Sequence, residues 1–434
     1  MARGEVITAA ERIEEKFGGK WKPVGESILF QHPSIPTGSI KLDEALGPCK
    51  GIPEGAILEI YGPQHSGKTL MGYLAISAAQ KKYAAKDNLI IDAERSFQFQ
   101  APWAKQVGVD VAKLYVSQVV SAEECFDKLE LAILGDVELD KDGNVKKVVK
   151  PGNFAVILVD SVSQLTPLEL VNKDMDKSKR MAALASVMST GLKKLVSAMT
   201  RADSKTVVIF INQIRSNPNA MFGNPETRTG GMALQFYDTI LWRITKVKDS
   251  TERDAKGMIC AHQVKVKFEK NKAGQLPAEP IVFKLRYDGT GIDNDFELAD
   301  VAEKNGLLLK VHGGYLFVKP GTEEPFNDSM KKFKMEDIGA ILKENPKIKE
   351  MIMNFIKEGK FYSENVEEEF DEVDEGDEKA SKMSKKQVES TEDEKPIEPI
   401  KEKSEKPEEV VETAEEKPEQ SLQEKRRGRR KIDA

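Results

Sequence analysis

An α/β fold with a mainly parallel central sheet is predicted for this 434-residue chain by three observations. Apolar runs at Ala56–Tyr61, Leu89–Ile91, Phe154–Val159 and Val207–Ile211 are too continuous for half-exposed strands and suit strands covered on both faces. Each stops at Gly62, Asp92, Asp160 or Asn212, polar or glycine positions at the carboxyl edge where open parallel sheets place their ligands. The stretch Leu70–Gln80, rich in helix formers, follows the first run directly, as a strand-turn-helix unit requires. At 39% hydrophobic residues the chain can build a real core, and its length allows two or three domains.

Val6, Ala9, Ala10, Ile13 and Phe17 recur at helical spacing before Gly18 and Gly19, so the chain opens with a short helix whose one apolar stripe needs a partner. Between the first apolar run and the helix formers lie Gly62, Pro63, Gln64, His65, Ser66, Gly67, Lys68 and Thr69. This is a phosphate-binding loop in its required context. Its glycines let backbone N–H groups turn toward phosphate oxygens at the positive end of the helix, Lys68 adds a full charge, and the Thr69 hydroxyl can ligate Mg²⁺. ATP is the expected ligand.

Two further runs end in carboxylates. Phe154–Val159 delivers Asp160 where a metal-side carboxylate should stand, and Leu89–Ile91 delivers Asp92 and Glu94. Glu94 is the candidate base for the attacking water, because a carboxylate one shell from the γ-phosphate can take a proton without displacing the metal. Asp92 reads as structural. Between Leu134 and Phe154, the segments Val137–Leu139 and Val145–Val149 flank Lys141–Asn144, a pattern that predicts a protruding hairpin. Its lysines could touch nucleic acid or simply solvate the insertion.

Val207–Ile211 ends in Asn212 and Gln213 and opens into a polar loop, with Gln213 at the hinge. The loop holds Arg215, Met221, Phe222, Gly223, Asn224 and Arg228 before Gly230 and Gly231, so it could grip a polyanion while the lone aromatic wedges between bases. An ordinary exposed loop is the other reading.

With these residues in view, the chain resembles the RecA-type homologous recombinases of bacteria and phages from about Val6 to about Lys360. The resemblance rests on PTGSIKLD at Pro36–Asp43, EIYGP at Glu59–Pro63, Asp92-Ala93-Glu94, Asp160-Ser161-Val162 with Leu165-Thr166-Pro167, FINQIR at Phe210–Arg215, MFGNPET at Met221–Thr227 with Gly230-Gly231, and Lys270-Asn271-Lys272. It implies that Lys68 and Thr69 bind the triphosphate and Mg²⁺, that Asp160 supports the metal, and that Glu94 activates water. It implies also that Gln213 senses the γ-phosphate and pulls on a DNA-binding loop at about Ile214–Gly230, into whose bound strand Phe222 inserts. Lys270 and Lys272 would reach the nucleotide of a neighbouring subunit, Phe236 would pack at that interface, and the N-terminal helix with Ile13 would dock onto the adjacent protomer. Without the resemblance, the two lysines read as a solvated strand edge.

The chain departs from the family pattern at several points. The loop after Glu94 is slightly longer, Trp103 replaces a tyrosine-like adenine stacker, the usual aspartate there is lacking, and Gln235 replaces a lysine before Phe236. Trp can stack at least as well. The first DNA loop, Glu169–Arg180, has no glycine, and Ser186 stands where an arginine often contacts DNA. Lys177, Lys179 and Arg180 could supply that charge, or form a wet surface.

Beyond the core, Leu307–Val318 reads as a strand pair around Gly313-Gly314, and Met335–Lys360 as two short helices around Asn345-Pro346. The resemblance makes this small α/β unit a collector of duplex DNA. From Glu364 onward Glu, Lys, Ser and Pro dominate, a composition that cannot repay its ordering entropy and predicts disorder. That tail holds 25 acidic and 15 basic residues, so the chain's net −6 leaves +4 for residues 1–363. A tail of this sign can compete with DNA for cationic surfaces, whereas its closing basic cluster, Lys425–Lys431, could bind phosphates or merely solvate the end. The organisation expected is therefore an N-terminal helix and linker (1–35), an ATPase core with DNA loops (36–290), a small C-terminal domain (291–362) and a tail (363–434).

Three scattered cysteines and four histidines make neither a zinc motif nor a disulfide framework. No apolar leader core or run of about 18 apolar residues is present, which predicts a cytoplasmic protein away from membranes. The function expected is a DNA-dependent ATPase that forms a helical homo-oligomer on single-stranded DNA and exchanges strands with a homologous duplex. A RecA-like hexameric helicase motor and a filament mediator without hydrolysis are the alternatives. Deleting residues from Glu364 onward is expected to accelerate duplex capture at low Mg²⁺, measured as uptake of labelled duplex; unchanged uptake would remove the tail as a brake.

Overall fold

The computed structural model describes residues 8–17, 33–139, 145–171, 177–216 and 226–360. Helix α1 (Ala9–Phe17) starts at a reciprocal cap in which Thr8 donates to the Glu11 carboxylate and the Glu11 N–H donates back to the Thr8 hydroxyl. Ile13 lies half-buried on it, while Val6 and Gly18-Gly19 fall outside the described residues. A two-stranded piece follows, β1 (Ser34–Ile35) paired with β2 (Ile52–Pro53) around helix α2 (Ile40–Ala45).

Strand and helix then alternate as the apolar runs predict. β3 (Ile57–Gly62), α3 (Lys68–Lys82), β4 (Asp87–Asp92), α4 (Phe97–Gln106), β5 (Leu114–Gln118) and α5 (Ala122–Leu134) come first. The expected hairpin is present, with β6 (Asp136–Leu139) antiparallel to β7 (Val145–Val149) and a bulge between Glu138 and Leu139. Next come β8 (Phe154–Asp160), α6 (Leu168–Val171), α7 (Lys177–Arg201), β9 (Val207–Ser216), β10 (Glu226–Arg228) and α8 (Ala233–Tyr237). The body closes with β11 (Ile240–Lys246), β12 (Glu252–Arg253), β13 (Ile259–Asn271), β14 (Ile281–Arg286), β15 (Gly291–Ile292), α9 (Asn294–Lys304), β16 (Leu308–Val311), β17 (Gly314–Phe317), α10 (Ile338–Glu344) and α11 (Pro346–Lys357).

The main sheet runs β15-β14-β13-β11-β3-β9-β8-β4-β5. From β11 to β5 every pairing is parallel, and from β11 to β15 every pairing is antiparallel. Side chains alternate between faces, which explains why the apolar runs are unbroken. Val207, Ile209 and Ile211 join the core under α3 with Leu58 and Ile60, whereas Val208 and Phe210 join the opposite core with Ile57, α5 and α7.

Two expectations need correction. The strand from Val207 does not end at Gln213 but continues to Ser216, because Ile214–Ser216 pairs antiparallel with Glu226–Arg228. The two strands form a stem, and residues 217–225 between them lie outside the described residues. Lys177, Lys179 and Arg180, expected in a loop, have their backbone in the first turn of α7. The C-terminal strand pair and the two helices around Asn345-Pro346 form as expected. No break in the core marks the expected 290/291 boundary among the described residues, since β15 bonds to β14, and Ile348, Ile352 and Ile356 share a cluster with Phe283 and Leu285.

His262 on β13 is buried, with the Tyr287 hydroxyl 2.9 Å from its Nδ1. Burial, aided by Lys246, pushes its pKa down from 6.5 to about 4. Between those values only the unfolded chain takes up the proton, so stability is lost as pH falls through the window. Acidification from about pH 7 to about pH 5 is expected to cost on the order of 1–2 kcal/mol more in the parent than in His262→Gln. Thermal melts at both pH values check this; equal slopes would contradict it.

Candidate active site

The phosphate loop lies where β3 ends. Gly67 caps α3 with φ 91°, and a Cβ on it would meet Leu285 Cδ1 at 2.4 Å. A Cβ on Gly62 would meet the Ile244 carbonyl oxygen at 2.0 Å, so both positions require glycine. No side chain caps α3, which leaves its first N–H groups available to an anion. Lys68 donates to the Pro63 carbonyl at 2.5 Å and Ser66 to the same oxygen at 2.9 Å, so the loop folds over its own lysine. Burial lowers the Lys68 pKa while Asp160 and Glu94 oppose that shift. Gln64 and His65 form the exposed crest.

Register brings the remaining groups together. Gly62 pairs with Gln213, Asp92 with Asp160 and Val159 with Phe210, so the ends of β3, β8 and β4 lie close to Asn212 and Gln213 on the continuing strand β9. Thr69 donates to Asp160 at 2.9 Å. Burial, followed by the charge of Glu94, pushes Asp160 up to about 7. Glu94 accepts from Ser161 at 2.5 Å and from the Gln213 amide at 3.3 Å. Asp92 accepts the N–H groups of Ser96 and Phe97, each at 3.1 Å, and so anchors the start of α4, the structural role expected of it. Trp103 lies half-buried on α4, edge-on to Tyr73 at 5.7 Å and tilted to Tyr287 at 6.4 Å. The hard oxygen pair of Thr69 and Asp160 suits Mg²⁺.

At the base of the polar loop, Arg228, expected to bind DNA, is engaged within the chain. Its guanidinium bonds Glu59 at 2.8 Å, reaches Gln235, and lies 5.0 Å over the Tyr61 ring. The cause is Glu59, a carboxylate with no exposed surface on β3. Burial pushes Glu59 up to about 7 against the pull of Arg228 and Asn212. Asn212 donates to Glu59 at 2.8 Å and to the Thr229 carbonyl at 3.0 Å, so both sides of the loop stem are fastened to one point. Lys270 donates to Asp238 at 2.6 Å and to the Gln235 carbonyl. Lys272 and Phe236 are exposed, the latter at 65%.

Met221, Phe222, Gly223 and Asn224 lie outside the described residues, as do the side chains of Lys177, Lys179, Arg180 and Arg215. Sequence reasoning assigned no role to Ser161, Glu59, Asn212 or Asp238. Glu59 had a signal, a lone charge inside an otherwise apolar run.

A strand, a phosphate loop and a helix, with carboxylates on the adjoining parallel strands, define the site of a P-loop nucleoside-triphosphatase. The RecA N-terminal domain model matches residues 5–293. Protein RecA of Chloroherpeton thalassium is 37% identical over 306 residues, covering 70% of this chain and 77% of that one. Protein RecA of Mesoplasma florum is 36% identical over 316 residues, 72% of this chain and 86% of its relative. Protein RecA of Rickettsia bellii is 34% identical over 370 residues, 84% and 96% respectively. The chain belongs to the RecA family. It is a recombinase of DNA recombination and repair, and nothing in these likenesses favours the ring helicase.

Arg228→Ala should leave Glu59 buried without its cation and cost roughly 3–5 kcal/mol of stability above neutral pH. Denaturant unfolding measures it; an unchanged midpoint with weakened single-strand binding would return Arg228 to the DNA.

Proposed function

We propose that the chain is a DNA-dependent ATPase whose hydrolysis is coupled to strand exchange, acting in the cytoplasm as a helical filament on single-stranded DNA. The carrying observation is the hydrogen bond from Gln213 to Glu94, since Gln213 heads the stem of the polar loop. Whatever displaces Gln213 from Glu94 acts on the loop at once.

In this reading Lys68 leaves the Pro63 carbonyl for the β- and γ-phosphates, which enter the cradle of N–H groups at the start of α3. Trp103 stacks on the base. Thr69 and Asp160 would hold Mg²⁺, which would neutralise charge on the phosphate oxygens. Glu94, steadied by Ser161, accepts the proton of the attacking water as its oxygen bonds the γ-phosphorus and the bond to the bridging oxygen breaks, releasing ADP and phosphate. Gln213 turns to the γ-phosphate, and Phe222 with Met221, Gly223, Asn224 and Arg215 engages the strand. Lys270 and Lys272 complete the site of the adjacent protomer, with Phe236 and Ile13 at the interface. Pairing between DNA strands selects the homologous duplex, so the loops contact backbone and stacked bases.

Glu94→Gln is expected to cut DNA-stimulated phosphate release by on the order of 10²–10⁴ while filaments with ATP persist in electron micrographs. Undiminished release would reject Glu94 as the base. Strand exchange between homologous DNAs by the parent tests the coupling.

A further inference from the structure

Asp238 is the C-cap of α8, and its carboxylate side chain has no exposed surface. One oxygen accepts from Lys270; the other, Oδ2, is buried with no hydrogen-bond partner among the described residues. Lys270 is anchored twice on the same small element, by this carboxylate and by the Gln235 carbonyl. That element is only five residues long and carries Phe236 exposed between the two anchors. A protomer packing against Phe236 therefore bears directly on both acceptors of Lys270. Arg228 also holds the middle of α8 through the Gln235 side chain, and Arg228 and Lys272 are the other cations facing Asp238.

We propose that Asp238 is a positioning residue that holds Lys270 in reserve within a lone protomer and yields it when a neighbour docks on Phe236. This rests on the reading that Lys270 completes the nucleotide site of the adjacent protomer. While the ion pair stands, the ammonium group is engaged within its own chain. Drawing it away leaves a buried carboxylate facing only Arg228 and Lys272, an electrostatic cost that docking has to offset. The reserve makes turnover depend on assembly more steeply than the interface alone would.

The test follows phosphate release on a homopolymeric single-stranded DNA as protein concentration is raised, for the full chain. Asp238→Asn is expected to reach half-maximal release at about tenfold lower protein concentration, with the shift falling on the concentration dependence rather than on the plateau. Asp238→Glu, which keeps the charge, should restore the parent curve. An unshifted midpoint for Asp238→Asn, with release lost in Lys270→Gln, overturns the reserve and leaves the lysine's role across the interface standing. Full release by Lys270→Gln removes that role and the proposal with it. Should Asp238→Asn fail to fold, amine labelling of the unassembled parent decides: Lys270 should react more slowly than exposed Lys272, and equal rates overturn the reserve.

Discussion

One buried carboxylate organises the working end of this molecule. Glu59 lies on the phosphate-loop strand with no exposed surface, and a charge taken so far from water must be met by donors. The donors that meet it are Asn212 and Arg228, from the outgoing and returning arms of the polar loop. The stem of the loop is consequently fixed to the strand that delivers the phosphate cradle. The phosphate loop and the stem of the polar loop, far apart in sequence, thereby share one frame.

Above that frame the groups are poised by competition rather than by rest. Lys68 is bonded to its own loop carbonyl, Thr69 to Asp160 and Gln213 to Glu94. In the proposed function each is an internal partner that a triphosphate or a metal ion replaces. Exchange of polar partners costs little net free energy when each donor and acceptor stays satisfied. Such a site can switch on binding without repacking the apolar layers beneath it.

Much of this was legible in the residues. The unbroken apolar runs announced strands covered on both faces, and the eight residues from Gly62 to Thr69 announced the phosphate cradle, because that chemistry depends on contiguous backbone. Asp160 and Glu94 were legible because parallel strands present their ends at one edge. The intrachain partner of Arg228 was not legible: an arginine in a polar loop suggests an anion outside, and only burial of Glu59 reveals the anion inside. The strand beyond Gln213 was missed since its partner, Glu226–Arg228, is separated from it in the chain by residues 217–225.

What the sequence by itself determined was local: which segments are strands, where the chain turns around phosphate, and which carboxylates stand at strand ends. Those features follow from side-chain periodicity and from glycines in contiguous stretches. Tertiary structure alone decided the pairings, Glu59 with Arg228, Glu94 with Gln213 and Ser161, and Lys270 with Asp238. These join residues far apart in the chain, and which charges meet depends on strand order, register and burial, none of which is written in local pattern.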